Sequence, residues 1–324
     1  MKKKEIPVSS IVFGPVPSRR LGRSLGVNNI PPKICTYSCV YCQLGRTVNF
    51  SSERQEFYDP QKIFSLVRSK TEEAADGGQK IEYITFVPDG EPTLDAGLGA
   101  ELKLVGTLGL KTAVITNSSL MDLEDVRSDL MEADLVCLKA DAVHEEIWTK
   151  MNRPAKKIKL CAVMDGILKF SKAYKGVLIT DTMLVSGLND GAEHINALTG
   201  FLTRVGASKN YISVVTRPPA EEWVKKPSEE RLNAAYQAVN RATGRAEFNI
   251  NYEGDDFSFM SDAGRELLGI ISVHPMRKEA VMRFLGKAGA DMGLADELAR
   301  RGEIVKTAYD GMEFYIRKIK RIER

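Results

Sequence analysis

The chain has 324 residues, more than one average domain and enough for a large α/β core with a smaller companion. Hydrophobic residues make up 43% and charged residues 27%, ordinary globular usage that argues against a disordered or membrane-spanning class. Net charge is only +3, but Ser272 to Arg324 carries 12 Lys/Arg against 8 Asp/Glu, a local +4, and the rest stands at −1; so small a balance permits nucleic-acid contact without requiring it.

In chain order, Met1-Lys2-Lys3-Lys4-Glu5 is followed by an apolar stretch, Ile11-Val12-Phe13, far too short for a secretory core. A cytoplasmic, reducing location is expected, with no membrane contact. There the five cysteines suit metal binding or catalysis better than disulfides. Six apolar runs then read as strands covered on both faces: Leu25 to Ile30, Ile81 to Val87, Lys111 to Thr116, Leu135 to Ala140, Val177 to Leu184 and Tyr211 to Val215. Helical stretches alternate with them. Asp59-Pro60 opens one that carries Ile63, Phe64 and Val67, Asp122 suits an N-cap before Val126 and Leu130, and others cover Lys157 to Ser171, Ala192 to Val205 and Ser228 to Arg241. Six βα units predict a parallel sheet curled into a partial (β/α)6 barrel over residues 1–255, because eight would be needed for closure.

The polar stretch Asn251 to Gly264 reads as a linker. Beyond it, Pro275 to Lys287 and Asp291 to Arg301 predict two helices, and Glu303 to Ala308 and Met312 to Ile316 flank Tyr309-Asp310-Gly311 as a hairpin. Helices followed by a hairpin resemble a winged helix over 270–324.

The chemistry is concentrated just after the first strand, in Ile34-Cys35-Thr36-Tyr37-Ser38-Cys39-Val40-Tyr41-Cys42. Three thiolates spaced Cys-x3-Cys-x2-Cys on one loop can bind three irons of a cubane and leave the fourth open. A structural zinc site is the alternative, but it needs a fourth Cys or His, and Cys137, Cys161, His144, His194 and His274 all lie far off in sequence. Three unrelated buried cysteines would not cluster in a loop.

This pattern, with Tyr41 as the aromatic residue before the last cysteine, resembles the cluster loop of the radical S-adenosylmethionine superfamily. Pro88-Asp89-Gly90-Glu91-Pro92, at the end of the second predicted strand, is similar to that family's Gly-Gly-Glu-Pro motif, with Asp89 in place of the first glycine. The resemblance implies that Cys35, Cys39 and Cys42 hold a 4Fe-4S cluster. It also implies that Tyr41, Gly90, Glu91, Asn117 and Asp141 form the shell around S-adenosylmethionine, the last two at the ends of the third and fourth predicted strands. For Asn117 a turn residue, and for Asp141 a helix N-cap before His144 to Lys150, stand as alternatives.

A narrower resemblance covers most of the first 250 residues. Gly14 to Gly26, Gln43-Leu44-Gly45-Arg46, Leu184 to Asp190 and Arg217-Pro218-Pro219 look like a subgroup of iron-sulfur oxidoreductases related to the wyosine-type tRNA-modifying enzymes. The implied activity is reductive cleavage of S-adenosylmethionine to a 5′-deoxyadenosyl radical, which abstracts hydrogen from a substrate. The electron comes from an external donor of the flavodoxin or ferredoxin kind. A tRNA base is one candidate substrate, met by the basic Arg317-Lys318-Ile319-Lys320-Arg321; a small metabolite or peptide is another. A redox-sensing, nucleic-acid-binding regulator is the reading from a different class, and it leaves the strand-end motifs without a purpose. Arg19, Arg20, Arg23 and Arg46 either contact an anion or form ordinary ion pairs. Cys137 and Cys161 read as core positions, and His194 as packing.

Overall fold

A computed structural model describes residues 11–250, 254–255, 257–259 and 262–318. The chain opens with a hairpin, β1 (Val12–Ser18) and β2 (Gly22–Val27), antiparallel from Val12↔Val27 to Ser18↔Gly22. A loop follows, clasped by two short parallel strands, β3 (Ile34–Cys35) and β4 (Asn49–Phe50). Helix α1 (Pro60–Asp76) starts as its sequence predicts: Asp59 accepts from the Gln61 amide and Pro60 fills the first helical position, where no donor is needed. Alternating strands and helices come next: β5 (Tyr83–Phe86), α2 (Leu98–Gly106), β6 (Lys111–Thr116), α3 (Glu124–Leu130), β7 (Leu135–Lys139), α4 (Glu145–Asn152), α5 (Leu160–Ala173), β8 (Val177–Leu184), α6 (Ala192–Val205), β9 (Lys209–Val214), α7 (Glu229–Thr243) and β10 (Ala246–Asn249).

These strands make one sheet in the order β1-β2-β5-β6-β7-β8-β9-β10, and every neighbouring pair from β2 to β10 is parallel. The fold is therefore α/β with a mostly parallel sheet. Its parallel strands number seven where the sequence predicts six, and β1 adds an antiparallel edge. Both additions lie at edges, where proline, charge and short length are tolerated. β1 contains Pro15 and Pro17, and β10 has four residues including Glu247. Asp122 does not cap α3, whose N-cap is Leu123 without a side-chain bond. Leu21, in the turn of the first hairpin, packs with Ala113, Leu135, Cys137, Ile179 and Tyr211, while Arg19 donates to the Asn249 carbonyl at 3.0 Å. The sheet is thus curled until its first turn meets its last strand.

The last segment comprises α8 (Ala263–Val273), β11 (Met276–Arg277), α9 (Lys278–Lys287), α10 (Met292–Arg300), β12 (Ile304–Tyr309) and β13 (Met312–Arg317), with the sheet order β11-β13-β12. Asp310 and Gly311 both take positive φ, 51° and 74°, the backbone a two-residue hairpin turn demands. Among the described residues the two largest apolar clusters are unequal. The larger lies between sheet and outer helices. The smaller joins Leu267, Ile270, Phe284, Leu298 and Tyr315 to Phe13 and Val16 of β1, so the C-terminal segment is built directly onto the first strand. Of the polar stretch Asn251 to Gly264, residues 251–253, 256 and 260–261 lie outside the described residues, as do Met1 to Glu5 and Ile319 to Arg321.

Candidate cluster and cofactor site

The cysteine loop is pinned at both ends by backbone hydrogen bonds to strand ends and to the region after α4. Lys33 N donates to Asp89 O at 2.7 Å and Glu91 N to Ile34 O at 3.2 Å. On the other side Ser38 N reaches Asn152 O (3.0 Å), Val40 N reaches Met151 O (2.9 Å), and Ala155 N reaches Thr36 O (2.8 Å). Tyr37, buried within this clasp, accepts from the Trp148 indole at 3.2 Å. The loop's shape is therefore set by the termini of β5 and α4 and not by its own residues alone.

Cys35, Cys39 and Cys42 are each partly exposed, and amide groups are aimed at two of them. Asn117 Nδ2 lies 3.5 Å from Cys35 Sγ and Asn152 Nδ2 lies 3.5 Å from Cys39 Sγ. Burial of the sulfurs raises all three thiols. Glu91, Cys39 and Cys42 push Cys35 further, and Asp141 and Cys42 push Cys39 to about 12. Buried thiols that resist ionisation become thiolate ligands beside a cation, because bound metal inverts that local balance. Among the described residues no three His, Cys, Asp or Glu converge on a single metal ion. Side-chain amides that donate to cysteine sulfur are what an iron-sulfur centre uses to tune its ligands, so the three loop cysteines are compatible with a cluster held by three thiolates.

Gly90 lets the loop approach the end of β5. It forms an isolated bridge with Ile34 and has φ +154°; a Cβ there would sit 2.0 Å from the Ile34 carbonyl oxygen. Asp89, the departure from the family motif, is buried in an ion pair with Lys33 (3.3 Å), and the Lys33 ammonium also donates to the Leu44 carbonyl. That pair ties the motif to both flanks of the cysteines. Glu91 is fully buried and accepts from Thr93 N (3.1 Å), Thr93 Oγ1 (2.7 Å), Thr116 Oγ1 (2.6 Å) and Asn117 N (2.7 Å). Its side chain joins the ends of β5 and β6, and burial raises its pKa against the pull of those donors.

Asn117 is a turn residue whose amide also reaches the cysteine loop. Its Oδ1 accepts from Ser119 N at 2.9 Å while its Nδ2 reaches Thr36 Oγ1 at 2.8 Å as well as Cys35. Asp141 is not the N-cap of α4, a place taken by His144. It accepts from the Tyr41 hydroxyl, from Asn152 Nδ2 (2.9 Å) and from Met183 N (2.9 Å), with Lys139 Nζ at 3.5 Å. Asn117, Lys139 and Asp141 line one small recess. Gly90, Glu91, Asn117 and Asp141 thus lie beyond the C-terminal ends of β5, β6 and β7, where such sheets place ligands, and Tyr41 of the cysteine loop reaches Asp141.

Sequence reasoning missed Asn152, Lys33 and Thr36, for which no spacing gives a signal. Of the four arginines, Arg46 forms a two-pronged pair with Glu221 (2.9 and 2.9 Å). Arg23 donates to Gln79 (2.8 Å) and to Ser258, and Arg20 pairs with Asp181. Arg19 and Arg20 face the interior of the curled sheet. Cys137 is a core residue, but Cys161 is exposed on α5, a correction to its expected place, because it falls on the outer face of that helix. His194 is buried, with its ring 5.2 Å from that of His144.

A family model described as the Radical SAM superfamily matches residues 29–198, a span running from the cysteine loop to α6. The chain belongs to the radical SAM superfamily: it is an enzyme whose cofactors are a 4Fe-4S cluster and S-adenosylmethionine. It is 41% identical over 313 residues to UPF0026 protein MJ1312 of Methanocaldococcus jannaschii, covering 96% of this chain and 97% of that one. In fold it is similar to a structure of TYW1 with a lysine-pyruvate adduct bound (15% identity, 75% of this chain and 79% of that one, TM-score 0.52). It is also similar to a radical SAM methyltransferase from Sphaerobacter thermophilus (14%, 70% and 66%, TM-score 0.53).

Proposed function

We propose that Cys35, Cys39 and Cys42 hold the cluster, that Tyr41, Gly90, Glu91, Asn117 and Asp141 order S-adenosylmethionine beside it, and that the enzyme abstracts hydrogen from a substrate held inside the curled sheet, read as a partial barrel. The observation that carries this reading is the convergence of the three thiols with the Gly90 approach and the Asn117 and Asn152 amides on one rim of the sheet. When bound, the cluster and S-adenosylmethionine supply a 5′-deoxyadenosyl radical by one-electron homolysis of a carbon-sulfur bond. The chain's residues do the rest. Asn117 and Asn152 donate to sulfur and lower its electron density, and Tyr41 is fixed by Asp141. An external flavodoxin- or ferredoxin-like donor and a cytoplasmic location belong to the same reading. Among the described residues no helix is long and apolar enough to cross a membrane.

The test is anaerobic reconstitution, dithionite reduction and detection of 5′-deoxyadenosine. Cys39→Ala is expected to lose bound iron and sulfide together with product, and a cluster-loaded, active variant would overturn the assignment.

A division into 1–255 and 270–324, the second part winged-helix-like, is supported by the element order of the last segment and its Asp310-Gly311 hairpin. An RNA substrate is the second reading, favoured by that segment and by Arg317 and Lys318 at the end of β13. RNA binding that weakens steeply with salt is its expected signature; no binding at low salt removes it.

A further inference from the structure

The strand that carries Cys35 is clasped from both sides. On one side is β4, where Phe50 pairs with Cys35 and Ser51 N donates to Cys35 O at 3.2 Å. On the other, Pro154 bridges Tyr37 and Ala155 N donates to Thr36 O at 2.8 Å. Phe50 to Glu53 from the first flank and Pro154 to Lys157 from the second line one open groove. Each wall of that groove is therefore one backbone hydrogen bond from the segment that bears a proposed cluster ligand.

The surface there combines apolar and cationic groups. Phe50 is 50% exposed and Val48, just before β4, is 46% exposed, although full burial of such side chains is worth about 1.5–3 kcal/mol each. The stretch Arg153-Pro154-Ala155-Lys156-Lys157-Ile158-Lys159 holds four cations and no acid. Arg153 pairs with Glu221 and Lys157 with Glu53. Lys156 and Lys159 are exposed and have no acidic partner among the described residues, while Ile158 between them turns into the larger core. A small apolar patch rimmed by cations suits a brief encounter with an acidic protein, because charge steers the approach and redox encounters bury less than about 1,200 Å². Its position against the Cys35 strand favours an electron carrier over RNA, which has no use for nearness to that strand.

We propose that this groove docks the external electron donor, a small one-electron carrier protein with an acidic rim around its redox centre. Lys156 and Lys159 meet the rim, and Val48 and Phe50 meet the apolar centre. The proposal rests on the reading of Cys35, Cys39 and Cys42 as the cluster ligands. One electron leaves the carrier, which is oxidised by one, and enters the cluster, which is reduced by one; no proton or leaving group moves in that step.

The experiment uses full-length, cluster-loaded, anaerobic enzyme and two acidic probes, a flavodoxin and, separately, a ferredoxin. Calorimetry follows binding of each oxidised carrier across a salt series, and amide hydrogen exchange maps where it sits. In parallel, 5′-deoxyadenosine formation is driven by the reduced carrier and by dithionite. At least one carrier is expected to bind, more weakly as salt rises, and to protect residues 48–52 and 153–159. The double variant Lys156→Glu, Lys159→Glu should weaken binding by about tenfold or more and slow carrier-driven turnover at limiting carrier, with iron content and dithionite-driven turnover unchanged. Arg241→Glu, at an exposed position of α7, should change none of these. The proposal is overturned if neither carrier binds the wild type, if the double variant binds as well as the wild type, or if protection falls elsewhere on the surface. Bulk transfer RNA that displaces the carrier and protects the same residues would assign the groove to RNA and overturn it too. Because the wild-type footprint decides the place, a variant that fails to fold does not rescue the idea. Carrier binding in the groove without 5′-deoxyadenosine from dithionite counts against the radical reading alone; 5′-deoxyadenosine from dithionite without carrier binding there counts against this proposal alone.

Discussion

At Gly90 one absent side chain decides whether two segments meet. A Cβ would collide with the Ile34 carbonyl one residue before Cys35, and the backbone takes a φ that other residues rarely adopt. Gly90→Ala is therefore expected to push the cysteine loop off the end of β5 at a cost on the order of 1–3 kcal/mol. The measurement is iron and sulfide per chain with the thermal midpoint; full loading at an unchanged midpoint would show that the loop has room to spare. Cys35, Cys39 and Cys42, the proposed cluster ligands, are legible in the sequence because their spacing is local. Asn152 is not, because what brings its amide to Cys39 is the end of α4 pairing with the loop backbone, a contact between residues more than a hundred positions apart.

At the scale of the element, α2 carries a buried carboxyl with an acid beside it. Glu101 is fully buried, and burial with the neighbouring Asp95 pushes it up to about 9; burial likewise raises Asp95. The folded protein then holds a proton that the unfolded chain, with Glu101 near 4.5, has released. Between about pH 5 and 9 stability should fall as pH rises, by about 1.4 kcal/mol per pH unit for one full proton, and level off above that window. Glu101→Gln keeps the shape and removes the titration, so urea unfolding across that range should lose this slope in the variant. Equal slopes in the two proteins would mean that Glu101 is ionised in the fold. Nothing in the sequence marks Glu101, which lies among apolar residues on an otherwise plausible helix face; its burial follows from how α2 seats against α1, α3 and β6.

For the molecule as a whole, β1 connects the two cores. Phe13 lies against Gly26 of β2, whose missing side chain makes room for the ring, and shares the smaller core with Phe284 and Tyr315. Phe13→Ala should cost about 3–5 kcal/mol, the range for removing a buried aromatic ring, and the loss should appear first in the C-terminal segment. Limited proteolysis reads it: cleavage within residues 262–318 should speed up while the sheet region holds. Unchanged cleavage there would mean that the segment is seated by other contacts. The same seating brings His274, at the end of α8, to the wall of the cavity beside the first hairpin.

The sequence by itself determined the enzyme class, the three-cysteine spacing of the loop, the Gly90-Glu91-Pro92 strand end, the alternation of strands and helices and the C-terminal hairpin. Each of these is written in local spacing, in periodicity or in a turn that only certain residues allow. The tertiary structure decided the seventh parallel strand, the edge position of a proline-bearing β1 and the Lys33 to Asp89 pair that explains a departure from the motif. It also decided which arginines pair outward and which turn inward. Those outcomes depend on contacts between residues far apart in the chain, and they are fixed when the sheet curls and its two ends approach, a geometry that no stretch of sequence carries alone.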